Sequence, residues 1–454
     1  MVKGACPLIT GDNKALQHFL SGRIWPLAQL PFDERLIQQA AQHHLIERFP
    51  ALTVTGRKPQ CQRCFCPALD AYIRYDCAKC DKICVYCRHC LTMGRLASCD
   101  ELVRWIGPAV DEVATPKFVW HGQFTEAQAR VSRELIDSVH KRQSRLIHAV
   151  CGAGKTEILF PAIYEALSLN LRVCVATPRT DVVLELAPRF QRVFPNSDVH
   201  ALYGGAEQKL SYSPFIVATT HQLLRFEEAF DVIFVDEADA FPYTFNQTLQ
   251  QAVQKARKKC GVTILVTATP ETAIKAQYEK ADAYSFIPRR FHGYDLPVPR
   301  FESLWFYDKQ LRMGRIPKKL SQWVASCEQQ QLPYLLFFPT IELLKQASPL
   351  FTVPAVYAED PARQENVLAL RNGEVAGLLT TTILERGITI PRVQVAVIGA
   401  EATIFTASAL IQISGRAGRA QQEPTGDVVF FHHGVTRDMD EARREIKRLN
   451  AVVM

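Results

Sequence analysis

Leu146-Ile147-His148-Ala149-Val150-Cys151-Gly152-Ala153-Gly154-Lys155-Thr156 is an apolar run that breaks into a glycine-rich turn and closes on Lys-Thr. A helical run follows it. Holding phosphate needs small residues, so that consecutive backbone N–H groups can turn inward. It also needs an ammonium for the β and γ oxygens and a hydroxyl for Mg²⁺. Gly152, Ala153, Gly154, Lys155 and Thr156 supply these. The helix that follows points its positive N-terminus at the same place. A chance glycine-rich turn would not need the strand before it, the helix after it and Gly-Lys-Thr together.

Outward from this loop the pattern is α/β. Short apolar runs at Leu146–Val150, Arg172–Ala176, Phe215–Ala218, Val232–Val235 and Thr263–Val266 alternate with helix-length stretches. Such runs read as buried parallel strands. A second set lies at Tyr334–Phe338, Gly377–Thr381, Val395–Ile398 and Val428–Phe431. The proline-rich stretch Pro288–Pro299 between the sets reads as a linker. The sequence thus predicts two tandem RecA-like parallel-sheet domains, at 116–287 and 298–454, preceded by a cysteine-rich zinc-binding domain at 59–100. Residues 1–58 form an N-terminal region to which no chemistry attaches. Within it Leu36–Phe49 has the spacing of a short amphipathic helix.

The bulk numbers agree with several domains. The chain has 454 residues, 48% hydrophobic and 22% charged, with a formal net charge of +7. That charge permits a polyanionic partner without demanding one. Met1–Asp12 has no basic segment followed by an apolar run, and no stretch is long and apolar enough to span a membrane. A cytoplasmic protein is expected.

Val232-Ile233-Phe234-Val235-Asp236-Glu237-Ala238-Asp239 delivers acids at the C-terminal end of a strand, where α/β sheets place ligands. Asp236 suits Mg²⁺, and Glu237 suits polarisation of an attacking water. The implied reaction is in-line hydrolysis of a γ-phosphate. Such a reaction needs a cation from elsewhere. The stretch Gln412-Ile413-Ser414-Gly415-Arg416-Ala417-Gly418-Arg419 offers two guanidiniums on one face of a helix, or on a turn entering one. Lys155, Asp236, Glu237, Arg416 and Arg419 are the catalytic candidates.

Fourteen cysteines is a high count, and eight of them fall between Cys61 and Cys90. Clustering in one part of a large chain points to metal in a reducing compartment rather than disulfides. Cys61-x2-Cys64, Cys77-x2-Cys80 and Cys87-x2-Cys90 are each a turn that can offer two thiolates to one zinc. Eight thiols can hold two ions, or four can bind while others stand by. Disulfide exchange is the competing use of such pairs. Neighbouring Lys58, Arg63, Arg74, Lys79, Lys82, Arg88 and Arg95 suit phosphates or simply water.

Together, Phe124–Gln128, Ala149–Thr156, Thr177-Pro178-Arg179, Asp236–Asp239, Thr267-Ala268-Thr269, Thr380–Pro391 and Gln412–Arg419 resemble the superfamily 2 helicases, from about 120 to 435. The resemblance implies that Gln128 reads adenine and that Gln412 joins Gly152–Thr156 in binding ATP. It implies that Thr267 and Thr269 couple hydrolysis to strand contact. Thr177, Arg179, Thr220, Thr380, Thr381 and Arg386 would be DNA contacts, and Thr156 and Asp236 would hold Mg²⁺. The acids are spelled as in DEAD-box proteins. The last motif, however, opens Gln412-Ile413-Ser414 rather than His-Arg, as in DNA motors such as PriA and RecG. Within the superfamily the chain most resembles the late competence family ComFA. The cysteine block precedes the motor, Tyr86-Cys87-Arg88-His89-Cys90 comes shortly before Gly94-Arg95, and Asp239-Ala240-Phe241-Pro242 follows the acids.

That resemblance implies an ATP-driven single-stranded DNA translocase or helicase for uptake of transforming DNA. It would work at the inner face of the membrane, beside the channel ComEC and with ComFC and DprA. It also implies zinc on the outer four, Cys61, Cys64, Cys87 and Cys90, with Cys77 and Cys80 as an alternative or second site. The competing expectations are a PriA-like restart or repair helicase, and a zinc-dependent DNA-binding scaffold with a vestigial ATPase.

Overall fold

The computed structural model describes residues 11–452 apart from 57, 112–114, 208, 245, 385–389 and 420–422. Helices α1 (Gly11–Leu20) and α2 (Glu34–Gln42) lie beside a sheet of β1 (Ile24–Pro26) and β2 (Ile46–Pro50). Next come two antiparallel hairpins: β3 (Leu52–Thr55) with β4 (Lys58–Cys61), and β5 (Tyr72–Cys77) with β6 (Lys82–Cys87). β7 (Glu101–Trp105) then returns between β1 and β2, pairing antiparallel with both.

The helix read over Leu36–Phe49 is shorter than its spacing suggested. Asp33 caps its start, and the chain turns at His44, whose φ is +53°. Leu45 and Ile46 are apolar because they face the small core with Trp25 and Val103, not because the helix continues. Ile46–Pro50 pairs with β7 instead. Helical and strand spacings coincide over such a short run, and pairing with β7 decides between them.

The first α/β lobe holds α3 (Glu126–Lys141), β8 (Arg145–Ala149), α4 (Phe160–Ser168), β9 (Val173–Thr177), α5 (Thr180–Val193), β10 (Val199–Leu202), β11 (Phe215–Thr219), β12 (Phe230–Val235), α6 (Gln247–Ala256), β13 (Arg257–Thr267), α7 (Thr272–Lys280) and β14 (Tyr284–Ile287). Its sheet is parallel throughout, in the order β10-β11-β9-β12-β13-β8-β14. Every residue of β8, β9 and β11 is buried, as expected of strands covered on both faces.

The second lobe holds β15 (Arg300–Ser303), α8 (Tyr307–Arg312), α9 (Lys318–Gln329), β16 (Tyr334–Phe337), α10 (Ile341–Ala347), β17 (Ala355–Val356), α11 (Arg363–Asn372), β18 (Gly377–Thr380), β19 (Gln394–Ile398), α12 (Ala407–Ser414), β20 (Val428–His432) and α13 (Arg437–Asn450). Its parallel sheet runs β15-β20-β19-β16-β18-β17. The predicted pair of RecA-like parallel-sheet domains is the observed architecture. No helix among the described residues is long and apolar enough to cross a membrane.

The N-terminal module is not a separate bead. Cys61, Cys64, Cys87, Cys90 and Met93 share one apolar core with Leu223, Phe226, Ala252 and Val253 of the first lobe. Arg104 on β7 donates to Glu227 at 2.7 Å, and Arg172 Nη1 donates to the carbonyl of Ser21 at 2.7 Å.

Candidate nucleotide cleft and zinc centre

The loop after β8 folds as its sequence requires. Gly152 and Gly154 have φ of +80° and +72°, a region costly for residues with a Cβ. A Cβ on Gly154 would also lie 2.5 Å from Gln128 Nε2. Gln128 sits in the first turn of α3 in a reciprocal cap. Its backbone N–H donates to Thr125 Oγ1, and its Oε1 accepts from the Thr125 N–H. Its side-chain amide turns to the loop, donating to the Ala153 carbonyl at 2.8 Å. Here Gln128 supports the phosphate loop itself. Lys155 and Thr156 are half-buried at the loop's end.

Asp236 follows β12 and is buried, and Glu237 comes next in a left-handed turn with φ +56°. Burial, with Glu237 beside it, pushes the Asp236 carboxyl up to about 6, against the pull of Lys155. Glu237 Oε2 is buried with no hydrogen-bond partner among the described residues. An acid oxygen left in this way suits a reactant it has yet to meet.

The second lobe closes over this place. α12 ends at Ser414, so Gly415–Arg419 is a turn leaving a helix rather than entering one. This corrects the expectation, and it sets the guanidiniums where a helix favours cations. Gly415 is needed: a Cβ there would lie 2.4 Å from Cys151 Cβ in the phosphate loop. The Cys151 thiol donates to Gln412 Oε1 at 2.9 Å, and Gln412 Nε2 donates to Asp239 Oδ2 at 3.1 Å. Thr269 donates to the same Asp239 oxygen at 2.5 Å and meets Ser408 Oγ at 2.6 Å. Thr267 Oγ1 accepts from the Thr269 N–H at 3.0 Å.

Arg416 is only 3% exposed. Burial, and next the neighbouring Arg419, hold its guanidinium well below its ordinary range, while Glu237 and Cys151 favour its charge. Arg419 donates to the Gly415 carbonyl at 3.0 Å. Glu185 on α5 faces this pair and Arg189, and burial raises its carboxyl. The cleft therefore gathers Lys155, Asp236 and Glu237 from one lobe with Arg416 and Arg419 from the other. The donor set fits a triphosphate with Mg²⁺: the buried Arg416 beside the half-buried Arg419 and Lys155, paired acids, and a loop of small residues.

Arg290 went unread in the sequence. It lies in the inter-lobe segment, 2% exposed, and donates to the carbonyls of Ala417, at 2.8 Å, and Gly418. Its neighbour Phe291 donates its backbone N–H to Gly152 O at 2.9 Å. The segment read as a linker thus joins the phosphate loop to the arginine turn. An Arg-Arg pair inside a proline-rich connector was the available signal.

The strand-contact candidates divide. Thr177, Thr220 and Thr380 are fully buried. The hydroxyls of Thr177 and Thr220 have no hydrogen-bond partner among the described residues, and that of Thr380 donates to Thr381 O at 3.2 Å. Thr381 and Arg179 are half-buried. Arg179 pairs with Asp181 and donates to Ile383 O at 2.5 Å, so it already bridges the lobes. Arg386 lies outside the described residues.

The cysteines separate into two quartets: Cys61, Cys64, Cys87 and Cys90, and Cys77, Cys80, Cys84 and Cys99. In the first, sulfurs of Cys61 and Cys90, and of Cys64 and Cys87, are 3.5 Å apart. The Arg63 guanidinium, 1% exposed, donates to Cys90 Sγ at 3.3 Å and to the carbonyls of Cys90, Met93 and Gly94. Lys255, whose ammonium burial pushes down to about 8, donates to Arg63 O at 2.6 Å and Leu224 O at 2.9 Å. Buried cations around four thiols suit the net negative charge of a tetrathiolate zinc site. Cys77 and Cys80 take no part in this quartet.

Residues 10–104 match the competence protein ComFA N-terminal domain, 121–272 the type III restriction enzyme res subunit, and 317–421 the helicase conserved C-terminal domain. The chain is 41% identical over 444 residues to the competence protein ComFA of Bacillus subtilis (strain 168), covering 96% of each. It is 37% identical to the competence protein ComFA of Streptococcus pneumoniae (strain ATCC BAA-255 / R6), covering 94% of this chain and 97% of that protein. Among solved structures, yeast (S. cerevisiae) Dbp5 bound to RNA and ADP BeF3 superposes with a TM-score of 0.54 at 15% identity, over 73% of this chain and 89% of that one. RecG bound to a three-way DNA junction gives 0.50 at 17%, over 73% and 45%. These two likenesses speak for the fold alone. Despite its literal Asp-Glu-Ala-Asp, the chain stands on a different branch from the DEAD-box proteins.

Proposed function

The chain belongs to the ComFA family of helicase-type competence proteins, and from that premise we propose that it is a DNA-stimulated ATPase that moves along single-stranded DNA and draws transforming DNA into the cell. The observation that carries this reading is the cleft in which Gln412, shortly before the buried Arg416, hydrogen-bonds both Cys151 of the phosphate loop and Asp239 beside the acids of the other lobe.

In the proposed reaction, Lys155 and the small residues Gly152–Gly154 grip the β- and γ-phosphates. Thr156 and Asp236 would hold Mg²⁺, which supplies charge neutralisation on the phosphates. Glu237 accepts a proton from water as its oxygen bonds to the γ-phosphorus and the bond to the β–γ bridging oxygen breaks. ADP and inorganic phosphate result. Arg416 and Arg419 meet the charge on the γ-phosphoryl oxygens, and Gln412 reports lobe closure to Cys151 and Asp239. Gln128 steadies the loop through the Ala153 carbonyl, and contact with the adenine edge is its proposed role by resemblance.

Opening and closing of the two lobes would ratchet a strand held by its backbone. Arg179, Thr381 and Arg386 are the side chains proposed to touch it. Thr177, Thr220 and Thr380, being buried, would shape the strand ends and offer neighbouring backbone N–H groups. Zinc on Cys61, Cys64, Cys87 and Cys90 would supply a structural cross-link. We place the motor at the cytosolic face of the membrane beside the uptake channel ComEC, with ComFC and DprA as partners.

ATP turnover of Lys155→Ala, with and without single-stranded DNA, tests the reading. Loss of at least about 100-fold in DNA-stimulated turnover with an unchanged circular dichroism spectrum is expected. Normal turnover would overturn it. A fork substrate separates translocation from duplex unwinding.

A further inference from the structure

The second cysteine quartet is built by the hairpin itself. β6 carries Cys84 and Cys87 three residues apart, and an odd spacing puts them on opposite faces of the strand. Cys87 turns to the first quartet, and Cys84 turns to Cys77, Cys80 and Cys99. Cys77 closes β5, where it pairs with Lys82. The backbone N–H groups of Cys80 and Asp81 both bond Cys77 O, at 3.3 and 2.9 Å, so the chain turns tightly and returns Cys80 to the same side.

Cys99 arrives from the other direction. Cys87 N–H donates to Leu96 O, Ser98 N–H donates to Val85 O, and Tyr86 bridges to Ala97. The segment after the first quartet thus runs along β6 as a short third strand and leaves Cys99 beside Cys84.

The spacing of the sulfurs is informative. Cys80 and Cys84 sulfurs are 3.4 Å apart, those of Cys77 and Cys99 are 3.7 Å apart, and all four lie within 4.8 Å of one another. Tetrahedral zinc with Zn–S near 2.3 Å sets its sulfurs about 3.8 Å apart. A disulfide needs about 2.05 Å. Donors converge on the sulfurs. The peptide N–H groups of Lys79 and Lys82 face Cys77 and Cys80, and Tyr75 Oη donates to Cys77 Sγ at 3.5 Å. Such hydrogen bonds offset the negative charge of a tetrathiolate centre. Cys66, also buried, belongs to neither quartet.

We propose that the chain binds a second zinc ion through Cys77, Cys80, Cys84 and Cys99, and that this ion fastens the tip of the β5–β6 hairpin to the start of β7. With four protein thiolates the site has no open position, so its role is structural. Because β7 carries Arg104 to Glu227, the ion fixes the hairpin relative to the first lobe. The inference is independent of the motor reading.

The test is metal content of the full-length chain purified without added chelator, with zinc and iron measured separately. About two zinc ions per chain are expected in the native sequence and in Cys66→Ser. About one is expected in Cys99→Ser and in Cys64→Ser, the first losing the hairpin-tip ion and the second the ion of the other quartet. Should Cys99→Ser not fold, native mass spectrometry of the unaltered chain decides. A mass increment of two zinc ions supports the site, and one overturns it. Iron in place of the second zinc, or two zinc ions retained in Cys99→Ser, also overturns it. Cobalt loaded into Cys64→Ser should still show sulfur-to-cobalt charge transfer, and its absence would count equally against the proposal.

Discussion

Asp236→Asn should stabilise the nucleotide-free chain at neutral pH while abolishing turnover, and Lys155→Met should abolish turnover while destabilising it. The Asp236 carboxyl is buried, and burial, with Glu237 next to it, raises it from 3.8 to about 6. A displacement of about two units corresponds to about 3 kcal/mol. Because the folded-state value lies above the unfolded one, the folded chain holds the extra proton between about pH 4 and 6. Stability from this group therefore falls as pH rises through that window and stays lowered above it. Asparagine carries no such charge, and its Oδ1 can still accept the Glu237 N–H that Asp236 accepts at 2.9 Å. The gain at pH 7.5 should approach about 3 kcal/mol, or about 6–12 °C in the unfolding of a lobe of this size. It should shrink toward zero near pH 4. Lys155 offsets the Asp236 charge, so its removal has the opposite sign. Thermal unfolding of both variants without nucleotide at pH 7.5 and 4.5, beside their ATPase rates, checks this. A neutral or destabilising Asp236→Asn at pH 7.5, or an equal gain at both pH values, would refute the reasoning.

Arg290→Ala leaves the carbonyl of Ala417 without its donor and that of Gly418 with only the His292 ring, and should weaken lobe closure by about 1–3 kcal/mol; a raised KM for ATP with an unshifted unfolding temperature is the expected signature. Arg63→Met strands three carbonyls and the Cys90 sulfur, so a loss of about 3–5 kcal/mol and faster zinc release to a chelator are expected, read by a colorimetric zinc indicator. Affinity for single-stranded DNA should fall at least about tenfold between 50 and 200 mM salt if about three phosphates are contacted, measured by fluorescence anisotropy.

The central strands were legible because burial on both faces makes them chiefly apolar, with a few buried polar residues such as Arg145 and His148 of β8. The edge strands β10, β14, β15 and β17 were not. They are short, and Tyr284–Ile287 and Arg300–Ser303 mix polar with apolar residues because one side lacks a neighbouring strand. The phosphate loop, the acids and the arginine turn could be read because each must follow or precede a strand or helix in sequence. Cys99 could not: it stands alone beyond Cys90, and only the pairing of residues 96–98 with β6 brings it to Cys84. Arg290 and Glu185 likewise matter through distant partners that local spacing does not encode. Thr177, Thr220 and Thr380 were assigned by resemblance, and their burial lies beyond what a motif can say.

The cysteine module and the motor are linked by packing rather than by a tether. Lys255 lies on α6, and its ammonium joins the carbonyl of Arg63, beside the first quartet, to that of Leu224. Leu224 belongs to the 3₁₀ turn Thr220–Arg225, which begins at a residue proposed to shape the strand contact. The same α6 buries Leu249, Ala252, Val253 and Ala256 in the core that holds Cys61 and Cys64. An ion on that quartet would thus hold the loop-facing end of the first lobe in shape through buried donors and one continuous apolar core. Removing it leaves Arg63 and Lys255 as buried cations without the thiolate charge that offsets them. The first part of the motor to loosen would then be the turn at Thr220, and the phosphate loop, which packs against β14 and the second lobe instead, would be affected only afterwards.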